Sequence, residues 1–173
     1  MQEERHAKGT EQIRQALTGL SEVLASEQSD GAKFAAAELA AKEVIGHRLF
    51  TIMAFHTDSV EVERLYSSNQ EAYPPGGRKQ KRDTAWGQQV LERGEPYIGS
   101  TAHEIRANFN DHDVILGLGL ESVLNVPVKF EGQTIGTMNL LHDENYYDTN
   151  HLALATEIAT ILAETLVNAM EKD

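Results

Sequence analysis

Two short groups of histidine and carboxylate residues are the clearest candidates for chemistry in this sequence. His103 is followed by Glu104, and nine residues further on His112 is followed by Asp113. Histidines with nearby carboxylates can hold a divalent metal ion or transfer protons near neutral pH. The spacing matches no defined metal motif, so three interpretations stay open: catalysis or metal binding, hydrogen bonding to a ligand, and ordinary surface or capping roles. A metal ion would use His103, His112 and Asp113, and acid–base catalysis would add Glu104.

A basic cluster is the second candidate. The sequence Arg78-Lys79-Gln80-Lys81-Arg82 follows Tyr73-Pro74-Pro75-Gly76-Gly77 and directly precedes a predicted helix that contains Trp86. One interpretation is a lid that draws an anionic ligand toward the helix N-terminus, with Arg78 and Arg82 as counter-charges. The other is a solvated loop. Trp86, the one tryptophan of the sequence, either stacks on a ligand or fills the core.

Composition excludes several classes of function. The 173 residues include 15 Lys+Arg and 27 Asp+Glu, which gives a formal net charge of −12 and disfavours nucleic acid as a partner. There is no cysteine, so disulfides, thiolate-bound metals and cysteine nucleophiles are excluded. The N-terminal residues do not resemble a secretory signal, and no apolar run approaches the ~18 residues of a membrane span. We expect a cytoplasmic protein without a membrane partner.

The chain reads as helices flanking a set of strands. Helices are predicted over residues 9–27, 32–45 and 149–170, and short helices near 83–93, 103–109 and 113–118. Strands are predicted over 49–55, 60–66, 96–100, 122–130 and 134–141, and residues 67–82 should form a long ordered loop. This order predicts an α+β domain with an antiparallel sheet. We divide it into an N-terminal helical arm, residues 1–30, and a domain, residues 31–173.

The two strands before the last helix have a polar and an apolar face. Even-numbered positions of residues 122–130 and 134–141 are nearly all apolar and should lie under helices. Asn125 and Asn139 occupy odd positions and should project together from the opposite face. Buried amides need hydrogen-bond partners, so these two should meet loop backbone, water or a ligand.

The turn between these strands sets their register. Glu131 is poorly suited to a positive φ, so a three-residue turn with Gly132 in the left-handed conformation is predicted. That register pairs Asn125 with Thr137.

The last predicted helix has two apolar stripes. One contains Leu152, Leu162 and Leu166 and satisfies the sheet. The other consists of Leu154, Ile158 and Ile161, and it needs either the N-terminal helices or a second copy of the chain. We therefore expect a homodimer built from helices near residues 10–45 and 149–170.

The strand pair also resembles a known family. Ser122–Val128 reads S-V-L-N-V-P-V, Glu131-Gly132 follows, and Ile135–Leu140 reads I-G-T-M-N-L. With the element order, this resembles a GAF domain over roughly residues 32–171. The resemblance implies a GAF/PAS-like central antiparallel sheet, with terminal helices on one face and a ligand pocket walled by short helices and loops on the other.

The resemblance implies a small-molecule sensor. Members bind cyclic nucleotides, tetrapyrroles, haem, amino acids or other metabolites, and their terminal helices commonly form the dimer. The cysteine-dependent members, which are methionine sulfoxide reductases and covalent bilin carriers, do not fit a chain without cysteine. Asn108–Asp111 matches only fragments of the cyclic-nucleotide signature.

We therefore expect a stand-alone, dimeric sensor domain that binds a small-molecule metabolite, an anion being one candidate class, and signals through a partner protein. No cofactor can be named. The predicted ligand-binding residues are Tyr73, Arg78, Arg82, Trp86, His103, Phe109, His112, Asn125 and Asn139. One alternative is a cysteine-independent enzyme using His103, His112 and nearby carboxylates, and another is a purely structural dimer module. Fold-level analogy does not choose between them.

Overall fold

The computed structural model of the chain describes residues 2–80 and 84–172. The helices are α1 (Gln2–Leu24), α2 (Asp30–Val44), a π-helix (Gly87–Glu92), α3 (Ala102–Asn108), α4 (His112–Gly117) and α5 (Thr149–Glu171). The strands are β1 (Leu49–His56), β2 (Glu61–Ser67), β3 (Gly76–Gln80), β4 (Tyr97–Gly99), β5 (Ser122–Phe130) and β6 (Gln133–His142). They form one antiparallel sheet in the order β3-β2-β1-β6-β5-β4, so the predicted α+β fold is confirmed.

One face of the sheet is covered by α5 and α2, with α1 packed against both helices. The apolar even positions of the central strands, such as Leu124 and Met138, are buried against residues of α5 such as Leu162. α5 begins where the Asp148 carboxylate accepts hydrogen bonds from the backbone N–H groups of Asn150 and His151, as an N-cap residue should. The burial of Leu124 and Met138 against α5 confirms the predicted assignment of the apolar face to the helical layer.

The turn of the β5–β6 hairpin differs from the prediction. Phe130 pairs with Gln133, and Glu131 (φ 51°) and Gly132 (φ 82°) form a two-residue turn with both φ values positive. A bulge between Val128 and Lys129 then shifts the register by one residue, so Asn125 pairs directly with Asn139 and not with Thr137. The bulge keeps apolar positions opposite apolar positions, because a one-residue slip would turn one strand's side chains to the wrong face.

The segment over residues 67–82, predicted as a loop, contains strand β3, which pairs with the outer edge of β2. Its residues are glycine or polar, so the sequence shows no alternation of apolar side chains. An edge strand with one open side can be polar, and charge on such an edge discourages pairing with another chain. The composition of this segment therefore gave no indication of strand β3.

The second apolar stripe of α5 is largely covered by the chain itself. Ile158 is fully buried, and Leu154 and Ile161 are half-buried and pack against the main core. The stripe therefore no longer argues for a second copy of the chain.

α5 is also the one helix among the described residues that is long and apolar enough to cross a membrane. Core helices pass the same test, and α5 packs against the sheet.

Short elements cover the opposite face of the sheet. α3 and α4 contribute Ile105 and Ile115 to one apolar cluster, and the π-helix contributes Val90 and Leu91 to another. Tyr97 and Phe109 pack against both clusters, but the covering layer leaves a space above the centre of the sheet. A cavity lies there, between members of both clusters.

Candidate functional site

The cavity lies over strands β1, β2, β5 and β6 and has a volume of about 50 Å³. This is roughly three to five times the space that one water needs. Its wall combines apolar side chains with a few polar and charged ones, as ligand sites commonly do. The lining residues are Thr51, Met53, Val62, Arg64, Tyr73, Lys79, Trp86, Phe109, Asp111, Ile115, Val123, Asn125, Asn139 and Leu141.

A chain of buried hydrogen bonds forms the floor of the cavity. The indole Nε1–H of Trp86 donates to Asn125 Oδ1 at 2.9 Å, and Asn125 Nδ2 donates to Asn139 Oδ1 at 2.7 Å. Asn139 Nδ2 then donates to the hydroxyl oxygens of Thr51 and Thr137, at 3.1 Å each. This series of hydrogen bonds crosses three adjacent strands and connects them to the segment that carries Trp86.

The donor-only nature of the indole sets the direction of this chain. Because Trp86 can only donate, the atom of Asn125 that faces it must be the carbonyl oxygen. The amide nitrogen of Asn125 then faces Asn139, whose own oxygen must accept. Because the oxygen of Asn139 accepts from Asn125, its amide nitrogen is left to donate to the Thr51 hydroxyl oxygen. The hydroxyl hydrogen of Thr51 can then be donated to another acceptor.

A charged group lies on the β2 side of the cavity. The guanidinium of Arg64 lies over the ring of Tyr73, with its central carbon 3.6 Å from the ring centroid. The Tyr73 hydroxyl donates to the Asp111 carboxylate, and Arg64 Nη2 lies 3.9 Å from the same carboxylate. Burial, together with the negative charge of Asp111, raises the pKa of Tyr73 above its usual value, so its hydroxyl stays protonated.

The structure brings together five of the nine predicted ligand-binding residues: Tyr73, Trp86, Phe109, Asn125 and Asn139 all line the cavity. Arg78 lies on the edge strand β3, half exposed, with its Nε 3.5 Å from the Glu63 carboxylate. Arg82 lies outside the described residues. Whether these side chains bind a ligand stays a prediction.

The two predicted histidines do not line the cavity. His103 is exposed on α3, and His112 borders a neighbouring surface hollow that shares Trp86 and Phe109 with the cavity. Asp113 points almost entirely into solvent, with 96% of its side chain exposed. Within residues 2–80 and 84–172, no group of three or more His, Asp or Glu side chains is placed to hold a metal ion.

Glu104, the fourth residue of the predicted acid–base site, accepts a hydrogen bond from the Tyr97 hydroxyl at 3.3 Å. Burial and this carboxylate raise the pKa of Tyr97 to about 12. The phenol therefore remains protonated across the physiological range.

Sequence reasoning missed Arg64, Asp111 and Thr51. A signal for Arg64 was present, because it interrupts the apolar even positions Val60 and Val62 of a half-buried strand. A charged residue on the inward face of a strand indicates either a buried ion pair or a ligand site. Asp111 stands beside His112 in the histidine–carboxylate group, but its polar neighbours in sequence gave no sign that it, and not His112, would line the cavity.

An antiparallel sheet with terminal helices on one face and a covered cavity on the other defines the class of this domain. A family model for the GAF domain matches residues 34–167, and the chain belongs to this family. A search of the curated proteins found no match to the chain.

Solved structures give the same fold at low identity. A GAF domain from a phosphoenolpyruvate-protein phosphotransferase of Coxiella burnetii is 16% identical, with TM-score 0.75, covering 93% of this chain and 96% of that one. A free methionine-R-sulfoxide reductase of Neisseria meningitidis, solved with its substrate, is 18% identical with TM-score 0.71, covering 93% and 92%. The A. aeolicus NLH2 GAF domain in an inactive state is 12% identical with TM-score 0.72, covering 93% and 99%.

Proposed function

We propose that this chain is a sensor domain whose small-molecule ligand occupies the cavity over β1, β2, β5 and β6. The GAF fold supports a small-molecule-binding regulatory domain. The observation that carries the proposal is the buried chain from Trp86 through Asn125 and Asn139 to Thr51 along the cavity floor. Polar side chains in a sheet interior are costly unless they are hydrogen-bonded, and this hydrogen-bonded group lines the cavity where a ligand could meet it.

We further propose that the domain acts as a cytoplasmic homodimer and passes its signal to a partner protein. The support is the arrangement of the layers: the cavity lies on one face of the sheet and the terminal helices on the other. On the helical side, Leu39 of α2 is 68% exposed, which suits a contact with a second copy. The division at residue 30 between an arm and a domain also stays a proposal.

The enzyme alternative has less support. His103 and His112 do not line the cavity, and the chain has no cysteine for the thiol chemistry that the resemblance implies for methionine sulfoxide reductases. The proposed role therefore rests on binding and not on turnover.

The test is ligand retention by two variants of the purified protein, measured by native mass spectrometry and followed by titration of the released compound. Asn125→Leu removes the central amide of the cavity floor and should lose the ligand. His112→Ala, outside the cavity, is the matched control and should retain it. Circular dichroism checks that both variants fold. If a folded Asn125→Leu variant binds as tightly as the parent, the cavity is not the site.

A further inference from the structure

The charges on the cavity wall do not cancel. Arg64 and Asp111 are mostly buried, with 14% and 19% of their side chains exposed, and Lys79 lies at the open side. Among the described residues no other charged side chain lines the cavity, so the wall carries two positive charges and one negative charge. This local excess of one positive charge stands in a chain whose formal net charge is −12. One negative charge on a ligand would neutralise it.

One hydrogen-bond donor of Arg64, its Nε, has no acceptor among the described residues. Its Nη1 donates to the Pro74 carbonyl at 2.8 Å, but its Nη2 lies 3.9 Å from Asp111, which is too long for a hydrogen bond. Its Nε is buried and has no partner among the residues described. Nε and Nη2 lie on the same edge of the guanidinium, and this edge matches the two oxygens of a carboxylate.

A further donor lies on the cavity floor. Thr51 is 2% exposed and lines the cavity, and its oxygen accepts from Asn139. Its hydroxyl hydrogen is therefore directed elsewhere, and no acceptor for it is found within the described chain. The wall thus offers donors from both Arg64 and Thr51, as an anionic ligand requires.

The size and remaining lining of the cavity limit the ligand further. A volume of about 50 Å³ holds a molecule of roughly three to five non-hydrogen atoms. Apolar side chains, among them Met53, Val62, Val123 and Leu141, cover the rest of the wall. A second charge on the ligand would have to lie against these side chains, which is unfavourable.

We infer that the cavity selects a short-chain monocarboxylate whose carboxylate binds the Nε–Nη2 edge of Arg64 and whose alkyl end packs on the apolar wall. This inference rests on the proposed function and adds the chemical class of the ligand. It also moves the counter-charge from Arg78 to Arg64.

The test compares three probes of similar size: propionate, propionamide and butylamine. Each is titrated into the protein at constant ionic strength, with the fluorescence and the indole N–H resonance of Trp86 as readouts. Trp86 is the one tryptophan of the sequence and lies on the cavity wall, so both signals report on this site. Propionate should bind at least about tenfold more tightly than propionamide, because hydrogen bonds to a charged group are the stronger ones. Butylamine should not bind.

Variants connect the effect to one side chain. Arg64→Met keeps a side chain that can pack on Tyr73 and should weaken propionate binding by about 10- to 100-fold. Arg64→Lys keeps the positive charge but loses the planar guanidinium that donates two parallel hydrogen bonds. Its affinity for propionate should therefore lie between those of Arg64→Met and the parent. Arg78→Met removes an equal charge at the edge strand and should leave the affinity within about twofold. If Arg64→Met fails to fold, the Arg64→Lys variant and the comparison of the three probes on the parent protein still test whether Arg64 binds the carboxylate.

The outcomes separate this inference from the proposed function. If propionamide or butylamine perturbs Trp86 at concentrations equal to or below those of propionate, the cavity binds small molecules but the anionic class is wrong. If Arg78→Met weakens propionate as much as Arg64→Met does, the assignment to Arg64 is wrong. If none of the probes changes the fluorescence or the N–H resonance of Trp86, and Asn125→Leu retains every co-purified compound, both the inference and the proposed site are wrong.

Discussion

At the scale of single residues, Asn125 and Asn139 act as one unit. Each supplies the partner that the other needs, and Trp86 and Thr51 complete the chain at its two ends. Both asparagines are 2% exposed, and each is paired with other side chains of this group. Removing one member therefore leaves buried donors or acceptors unsatisfied, whereas removing both amides together leaves fewer of them.

A double-mutant cycle should reveal this coupling. We expect Asn139→Leu alone to lower the free energy of unfolding by about 1–3 kcal/mol, because Asn125 Nδ2 loses its acceptor. The double variant Asn125→Leu/Asn139→Leu should be more stable than the sum of the single effects predicts, by about 0.5–3 kcal/mol. Urea denaturation followed by circular dichroism measures each corner of the cycle. Strictly additive effects would show that the two amides do not depend on each other.

His47 offers a test of pH dependence. Its imidazole is buried beneath the helices, with Nε2 3.2 Å from the Glu38 carboxylate, and burial lowers its pKa below the ordinary 6.5 despite that carboxylate. The unfolded chain therefore binds a proton near pH 6.5 that the folded chain does not. Stability is fully present above that pH and is lost as the pH falls toward the lowered pKa of the folded state.

We expect the free energy of unfolding of the parent to fall as the pH drops below about 6.5, and His47→Gln to flatten this dependence. Part of the slope should survive in that variant, because burial also lowers the pKa of His142. His103→Gln, at an exposed position, is the control and should leave the slope as it is. Denaturant titrations at several pH values provide the measurement. An unchanged slope in His47→Gln would contradict the assignment.

At the scale of elements, the close contact among β6, β1 and α5 depends on Gly136. A Cβ atom built there would lie 2.2 Å from the Met53 carbonyl oxygen and 2.6 Å from Leu166 Cδ2. Backbone and a buried helix residue therefore occupy the space on the apolar side of the strand. This contact holds α5 against the sheet opposite the cavity floor.

Gly136→Ala should destabilise the protein by about 1–3 kcal/mol, since the sheet or the helix must shift to admit the methyl group. Gly19→Ala provides a control of opposite sign: nothing lies within 4 Å of its Cβ position, and alanine favours the helix by about 0.5–1 kcal/mol. Thermal and urea unfolding of both variants measure the difference. If Gly136→Ala were as stable as the parent protein, β6 would have room to move away from α5.

At the scale of the whole molecule, the sheet separates the proposed ligand site from the proposed contact surface. A ligand that moves β5 or β6 would change the packing of α5, because both strands touch that helix. The exposed Leu39 lies on α2, which packs beside α5. A change at the cavity could thus reach the proposed dimer surface through α5 and α2.

We expect the parent to have twice the monomer mass of 19.2 kDa in light scattering at micromolar concentration. Leu39→Glu should weaken this dimer by at least about tenfold, because a charge would replace a buried contact. Val114→Glu is the matched control: Val114 is also exposed, at 43%, but lies on α4 at the opposite side of the sheet. It should leave the mass unchanged. A monomeric parent would remove the proposed dimer.

The sequence by itself determined which side chains of the hairpin face the helices and which face the cavity. Side chains alternate along a strand, so Asn125 and Asn139 share a face in any register that keeps apolar positions paired with one another. The cap at Asp148 and the bounds of α2 and α5, to within two residues, likewise follow from local chemistry, whereas α1 begins at Gln2 and ends at Leu24 and not at the predicted residues 9 and 27. Only the tertiary structure decided the two-residue turn with its bulge, the polar strand β3, and the absence of His103 and His112 from the cavity. It also brought Arg64, Tyr73 and Asp111 together from three separate segments. Such contacts depend on how distant elements pack, and local sequence patterns carry no information about that packing.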